Sequence, residues 1–256
     1  MSEGGGATTA LLIAAHGERQ PGAGNESVMK IARAIAARQI VSEVAVGFIN
    51  GVPTIGEALR GIEARKIIVY PLFASNGYFT RDRLVQLIDE ADGATREIDM
   101  RPPFGLDPGL PQLVIDHIDR AASENGLVTR SLTAVLLAHG SRRNPASREA
   151  TEGIAREVAR RGVCRDVAIA FLEEQPFLDE AAASIKGPVI VVGMFSGDGL
   201  HGARDAPHLV AKLGRNDVIY AGVIGHAKGI ENLVERSVRE ALADTAALSS
   251  AIDRPG

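Results

Sequence analysis

Unbroken apolar stretches alternate along the chain with amphipathic ones. Runs rich in Val, Ile and Leu fall at 9–15, 43–49, 66–72, 133–138, 166–172 and 188–193. Because these runs are continuous, they predict strands covered on both faces, the mark of a parallel sheet. Between them, helical spacing occurs at 24–38, 53–62, 80–91 and 110–123, and again at 145–161, 176–185, 204–213 and 226–243. Weaker strands are predicted near 95–100 and 217–221. Each half thus reads β-α-β-α-β-α, a fourth strand and a closing helix. With right-handed crossovers this gives a three-layer, doubly wound architecture whose ligands sit outside the carboxyl ends of the strands.

The two halves repeat one another. Ala14-Ala15-His16-Gly17 returns as Leu137-Ala138-His139-Gly140, and the offset of 123 residues holds without a gap for over forty positions. Arg19 falls on Arg142, Glu26 on Glu149, Phe48 on Phe171, Pro53 on Pro176 and Glu57-Ala58 on Glu180-Ala181. This register implies duplication and fusion of one unit. The predicted fold class is therefore α/β, with two tandem Rossmann-like lobes, each a four-stranded parallel sheet flanked by helices. The expected boundaries are an N-terminal lobe at 8–124, a linker at 125–131, a C-terminal lobe at 132–245 and a frayed tail at 246–256. At 256 residues, each half is long enough to bury a core of its own.

Composition narrows the class. A net charge of −4 and a pI near 5.9 would repel nucleic acid and anionic lipid, so neither partner is expected. An anionic ligand would have to be caught by local arginines. The single cysteine, Cys164, allows no intramolecular disulfide or paired-cysteine metal site and fits a reducing compartment. The polar start and the lack of any apolar run of about 20 residues suggest a cytoplasmic protein with no signal peptide or membrane span.

The informative positions are those where the copies differ. In the second half, His139 ends the first predicted strand and Glu173 the second, while His201 lies in the glycine-rich loop Ser196–Gly202 after the third. Their counterparts in the first half are His16, Asn50 and Phe79. Side chains at the ends of neighbouring strands about 4.8 Å apart can converge on one crevice. Two imidazoles and a carboxylate there suit either a divalent metal or proton transfer near neutral pH. Taken singly, each has a bland reading: a turn histidine, a helix-starting carboxylate, a loop residue. Arg142, Arg143 and Arg204 follow these residues closely, as Arg19, Arg81 and Arg83 do in the first half, and arginine forks suit carboxylates.

The strand-His-Gly-Ser-Arg of 139–142, the Phe-Leu-Glu of 171–173 before a proline-started helix, and the glycine-rich loop bearing His201 before Arg204-Asp205 resemble the class II chelatases. The likeness is greatest to the long, two-lobed sirohydrochlorin chelatases of cobalamin and siroheme biosynthesis, and it covers about 8–245. The resemblance implies insertion of Co²⁺ or Fe²⁺ into a tetrapyrrole, without a nucleotide, in a cleft between lobes. It implies that His139 and His201 bind the metal and accept pyrrole protons, with Glu173 assisting. Arg142, Arg143, Arg204, His16 and Arg19 would then line the cleft or hold tetrapyrrole carboxylates. The loop departs from the family pattern: Met194-Phe195 stands where the first lobe keeps Pro71-Leu72-Phe73. Because both lobes lie in one chain, a monomer is expected, with a homodimer as the alternative.

Two other readings compete. A non-catalytic metal- or tetrapyrrole-binding protein would keep the arginines and lose the proton acceptors. A phosphohistidine-type phosphatase needs an arginine just before the histidine, where Ala15 and Ala138 stand. No Gly-x-Gly-x-x-Gly follows the first strand, which excludes a dinucleotide fingerprint.

Overall fold

The computed structural model describes residues 8–18, 25–92, 95–197 and 204–252. Two four-stranded parallel sheets form, one in each half. The first has strands β1 (Thr9–Ala15), β2 (Glu43–Phe48), β3 (Lys66–Leu72) and β4 (Glu97–Met100) in the order β2-β1-β3-β4. The second has β5 (Thr133–Ala138), β6 (Asp166–Phe171), β7 (Val189–Gly193) and β8 (Val218–Val223) in the order β6-β5-β7-β8. The repeat extends to register, with Ala15 paired to Phe48 and Ala138 to Phe171. The helices are α1 (Glu26–Ala36), α2 (Ile55–Gly61), α3 (Leu84–Asp92), α4 (Leu110–Glu124), α5 (Ala146–Arg160), α6 (Leu178–Ala183), α7 (Ala206–Lys212) and α8 (Ile230–Ile252).

The two-residue period of a strand sends alternate side chains to opposite layers. On β1, Ala10, Leu12 and Ala14 face outward onto Ile55, Leu59, Leu84 and Ile88 of α2 and α3. Leu11, Ile13 and Ala15 face inward. On β5, Val135 and Leu137 face outward toward Leu178 and Ala206, whereas Ala134, Leu136 and Ala138 face inward.

The inner faces of both sheets belong to one apolar cluster, so the expectation of a separate core in each half gives way to a shared core. The reason is an exchange of closing helices. Helix α4, the last of the first half, packs on α5, β7 and β8, while α8, the last of the second, packs on α1 and β3. Val234, Val238 and Ala241 of α8 are fully buried. Ion pairs surround this docking, among them Arg38 with Glu235 and Arg236 with Asp107. Buried Tyr70 donates to Asp107 at 3.1 Å, and burial first, then Asp107, pushes its phenol pKa up. Exposed pairs contribute about 0.2–1 kcal/mol each. A buried Val or Leu contributes about 1.5–3 kcal/mol, so apolar burial holds the exchanged helix and the pairs set its register.

Helix α8 runs to Ile252, past the expected end at 243 and into the segment read as a frayed tail. That reading rested on small and polar residues, yet Ala246, Ala247 and Ala251 fall there, and alanine is the best helix former. Among the described residues, no helix is long and apolar enough to cross a membrane.

His117, on α4, has its Nε2 buried without a hydrogen-bond partner among the described residues. Burial outweighs the opposing Ala221 backbone and keeps the imidazole pKa below 6.5. A histidine depressed in the folded state confers stability that is complete above its unfolded pKa of about 6.5 and is lost as pH falls toward the folded value. His117→Phe should therefore flatten the fall in Tm between about pH 7 and 5 relative to the unaltered chain. An identical fall in both would place the acid sensitivity elsewhere.

Candidate active site

Both His-Gly pairs sit where a central strand ends. Gly17 has φ of 69° and Gly140 of 72°, the left-handed region that glycine enters freely. A Cβ on Gly17 would stand 2.7 Å from Phe48 Cβ, and one on Gly140 would stand 2.8 Å from Phe171 Cβ. The chain must therefore turn at these glycines, leaving each histidine at the carboxyl edge of its sheet. There the ring Nδ1 of His16 lies 3.0 Å from the Gly17 oxygen, and that of His139 lies 2.9 Å from the Gly140 oxygen. A carbonyl only accepts, so each Nδ1 donates this bond, and in the neutral imidazole Nε2 is the acceptor nitrogen.

The neighbouring strands bring Asn50 and Glu173 alongside. The Asn50 N–H donates to the His16 carbonyl at 2.7 Å, and the Glu173 N–H to the His139 carbonyl at 2.9 Å. In the first half, Asn50 Nδ2 lies 3.3 Å from His16 Nε2, so an amide donor already occupies that lone pair. The His16 ring also meets Phe79 edge to face at 4.8 Å. The repeat position in the second half is Glu173, whose ionised carboxylate can only accept.

A cavity of about 380 Å³ lies between the halves, with both His16 and His139 in its wall. Phe73, Tyr78 and Phe79 from the first half and Phe195 from the second give it an apolar lining. Tyr78 is 58% exposed and Phe79 42% exposed, an aromatic pair in T-shaped contact at 5.5 Å. Tyr78 precedes the π-turn Phe79–Arg83 that leads into α3.

The structure thus brings His16 and His139 to one cavity, and the backbone places Glu173 beside His139. Glu173 is exposed and is not part of the cavity wall. Arg142 and Arg143 are exposed just beyond Gly140, and Arg204 is exposed just before α7. Arg19 and His201 lie outside the described residues. Among the described residues no group of three or more His, Cys, Asp or Glu is set to hold a metal ion. His208 on α7 and His226 after β8 are exposed.

Sequence reasoning passed over the residues that hold these loops. Glu174, which no motif singled out, turns back onto the loop after β5. Its Oε1 accepts the Ser141 N–H at 3.0 Å, and its Oε2 accepts Arg148 Nε at 3.1 Å and Nη2 at 2.8 Å. Burial alone would raise its pKa, but the Ser141 N–H and Arg148 outweigh it and hold the carboxyl below the usual range. Gly105 and Gly225 were missed as well. The Gly105 N–H donates to the Phe73 carbonyl and the Gly225 N–H to the Phe195 carbonyl, both at 2.9 Å. These bonds pin the loops that line the cavity. The readable signal was the repeat itself, since each glycine lies in the turn that follows the fourth strand of its half.

A family model described as CbiX matches residues 10–121 and 133–241. The chain belongs to the CbiX family. A relative from Halobacterium salinarum, described as a probable sirohydrochlorin cobaltochelatase, is 26% identical over 282 aligned positions, covering 95% of this chain and 94% of the relative. The solved structure of CbiX described as the terminal enzyme for siroheme biosynthesis in denitrifying bacteria matches at TM-score 0.73 and 26% identity, covering 91% of this chain and 99% of that one. SirB from Bacillus subtilis with Fe³⁺ shares the fold at TM-score 0.80 and 19% identity, over 94% and 98% of the two chains.

In this CbiX-family chain the glycine pins leave no room for a methyl group. A Cβ on Gly225 would lie 2.3 Å from the Ser196 carbonyl oxygen, and one on Gly105 would lie 1.9 Å from that of Ala74. A Cβ on Gly61 would meet nothing within 4 Å among the described residues. Gly225→Ala and Gly105→Ala should each cost about 2 kcal/mol or more in thermal or urea unfolding. Gly61→Ala, in a helix, should be neutral or stabilising by about 0.5 kcal/mol. Equal effects at all three positions would show that the pins do not constrain the loops.

Proposed function

We propose that the chain inserts Co²⁺ or Fe²⁺ into sirohydrochlorin without a nucleotide, on a site that uses the second half for the metal and the first half for the macrocycle. The observation that carries this reading is the cavity in which His139 faces an exposed aromatic wall in a CbiX-family chain. The Halobacterium salinarum relative is named for cobalt chelation of the same tetrapyrrole.

The reaction exchanges two pyrrole N–H protons for one divalent metal ion. Neutral imidazole suits both sides of that exchange, since its lone pair ligates a borderline metal and takes a proton once the metal has left. His139 Nε2 is the proposed donor, with Glu173 and His201 completing the metal and proton-accepting set. His16 is a weaker candidate because Asn50 already donates to its Nε2. Tyr78 and Phe79 offer flat apolar area for one face of the macrocycle. Arg142, Arg143 and Arg204 are proposed to hold its carboxylates, and Arg19 and His16 to line the cleft.

A monomer suffices, because both halves of one chain wall the cavity. A reducing, cytoplasmic setting fits Cys164, whose thiol burial pushes up to about 11, an unreactive form. The phosphatase reading finds Ala15 and Ala138 buried where it needs an arginine.

Anaerobic metallation of sirohydrochlorin, followed by its visible absorbance, tests the proposal. His139→Ala and Glu173→Ala should lower kcat/KM at least about 100-fold and His16→Ala less than about tenfold, as for loss of a directly acting group against a neighbour. Phe79→Ala should raise KM for the tetrapyrrole several-fold with kcat little changed. Binding of metal and tetrapyrrole by the unaltered chain without turnover would identify a binding protein instead, and equal losses at His16 and His139 would overturn the one-sided assignment.

A further inference from the structure

The two loops after β1 and β5 hold their histidines in the same way, up to an exchange at two repeat positions. In each, the peptide that follows the histidine-glycine bond carries both partners. Its carbonyl, that of Gly17 or Gly140, takes the imidazole Nδ1 proton at 3.0 or 2.9 Å. Its N–H, that of Glu18 or Ser141, donates to a side chain on the other side, because the C=O and N–H of a trans peptide point opposite ways. In the first half the acceptor is the neutral amide of Asn25, with Oδ1 at 3.1 Å. In the second half it is the carboxylate of Glu174, with Oε1 at 3.0 Å.

The exchange is coupled. Arg148 stands at the repeat position of Asn25, and Gly51 stands at that of Glu174. A Cβ on Gly51 would lie 3.0 Å from both Asn25 Nδ2 and Phe48 Cβ, so a side chain there would have to push Asn25 or Phe48 aside by a few tenths of an ångström. In the second half Arg148 occupies Oε2 of Glu174 and rests 4.5 Å over the Phe171 ring. This leaves Oε1 aimed at the peptide. The Glu174 side chain is only 15% exposed, which limits how far water screens the bond.

We propose that Glu174 is a positioning residue that acts on His139 through the Gly140–Ser141 peptide, fixing its Nδ1–H tautomer and strengthening Nε2 as a metal donor. A charged acceptor on the N–H polarises the peptide, makes the Gly140 oxygen a better acceptor for Nδ1–H, and pushes electron density toward Nε2. Carboxylates bonded directly to a ligating histidine act in this way. Here one peptide unit stands between them. The neutral Asn25 relay in the first half lacks that push, so the duplicated loops differ in donor strength as well as in Asn50 and Glu173.

This inference rests on the proposed metal role of His139, and metal binding alone tests it. Titration calorimetry of the full chain with Co²⁺ compares the unaltered protein with Glu174→Gln, His139→Ala and His16→Ala. The isosteric Glu174→Gln keeps an oxygen for Ser141 and should weaken Co²⁺ binding about tenfold, the low end for loss of a carboxylate that supports a metal ligand. Nitrogen NMR of labelled histidine should show His139 mainly as the Nδ1–H form in the unaltered chain and as a tautomer mixture in Glu174→Gln. The pair Arg148→Asn with Glu174→Gly installs the first-half arrangement. It should restore the unaltered Tm while Co²⁺ binding stays weak, which a merely structural role for Glu174 would not produce. Unaltered Co²⁺ affinity in Glu174→Gln overturns the assignment, as does absence of His139-dependent binding in the unaltered chain. Tight His139-dependent binding without metallation of sirohydrochlorin sinks the proposed function and leaves the role of Glu174 standing.

Discussion

Sandwiched between the two sheets, α1, α4, α5 and α8 remove from water the inner sides of β1 and β5, and that burial fixes where the two histidines stand. Each half offers one apolar sheet face that its own inner helix covers only in part. The closing helices complete the cover by crossing over, α4 to the second sheet and α8 to the first. Neither half can move away without exposing Val234, Val238 and their neighbours. Two strand ends that lie over a hundred residues apart in sequence thereby share one cavity.

Within this frame the repeat sets the backbone and the substitutions set the chemistry. The turn at Gly17 and Gly140, the donation of Asn50 and Glu173 to the histidine carbonyls, and the glycine pins at Gly105 and Gly225 recur in both halves. What differs is charge and hydrogen-bonding sense. An amide donates to His16 from the position that is Glu173 in the second half, and an amide ends one peptide relay where a carboxylate ends the other. A duplicated scaffold can surround its two imidazoles with different side-chain partners because a backbone does not depend on which side chain ends the relay. The first half gives its freed surface to Tyr78 and Phe79, which face the same cavity.

Much of the site was legible in the chain itself. The His-Gly pairs stood out because only glycine fits a left-handed turn packed on a phenylalanine, and the repeat displayed that requirement twice. Glu173 was visible as a position where the copies disagree. Glu174 was passed over because its partner Arg148 lies 26 positions away, and a pair of that span has no local signature. Lone His117 gave no sign in sequence that its Nε2 would be sealed off. His201 and Arg19 lie outside the described residues, so their part in the site stays with the proposal.

By itself the sequence determined the order of strands and helices, the duplication and the glycine turns that end β1 and β5. These follow from apolar periods and backbone angles that a few neighbouring residues dictate. Only the tertiary structure decided that the closing helices cross over, that one core serves both halves, and that His16 and His139 share a cavity. Those outcomes depend on which apolar faces are nearest once the chain is compact. That is a matter of burial between distant segments, and the hydrophobic effect has no direction of its own to record locally.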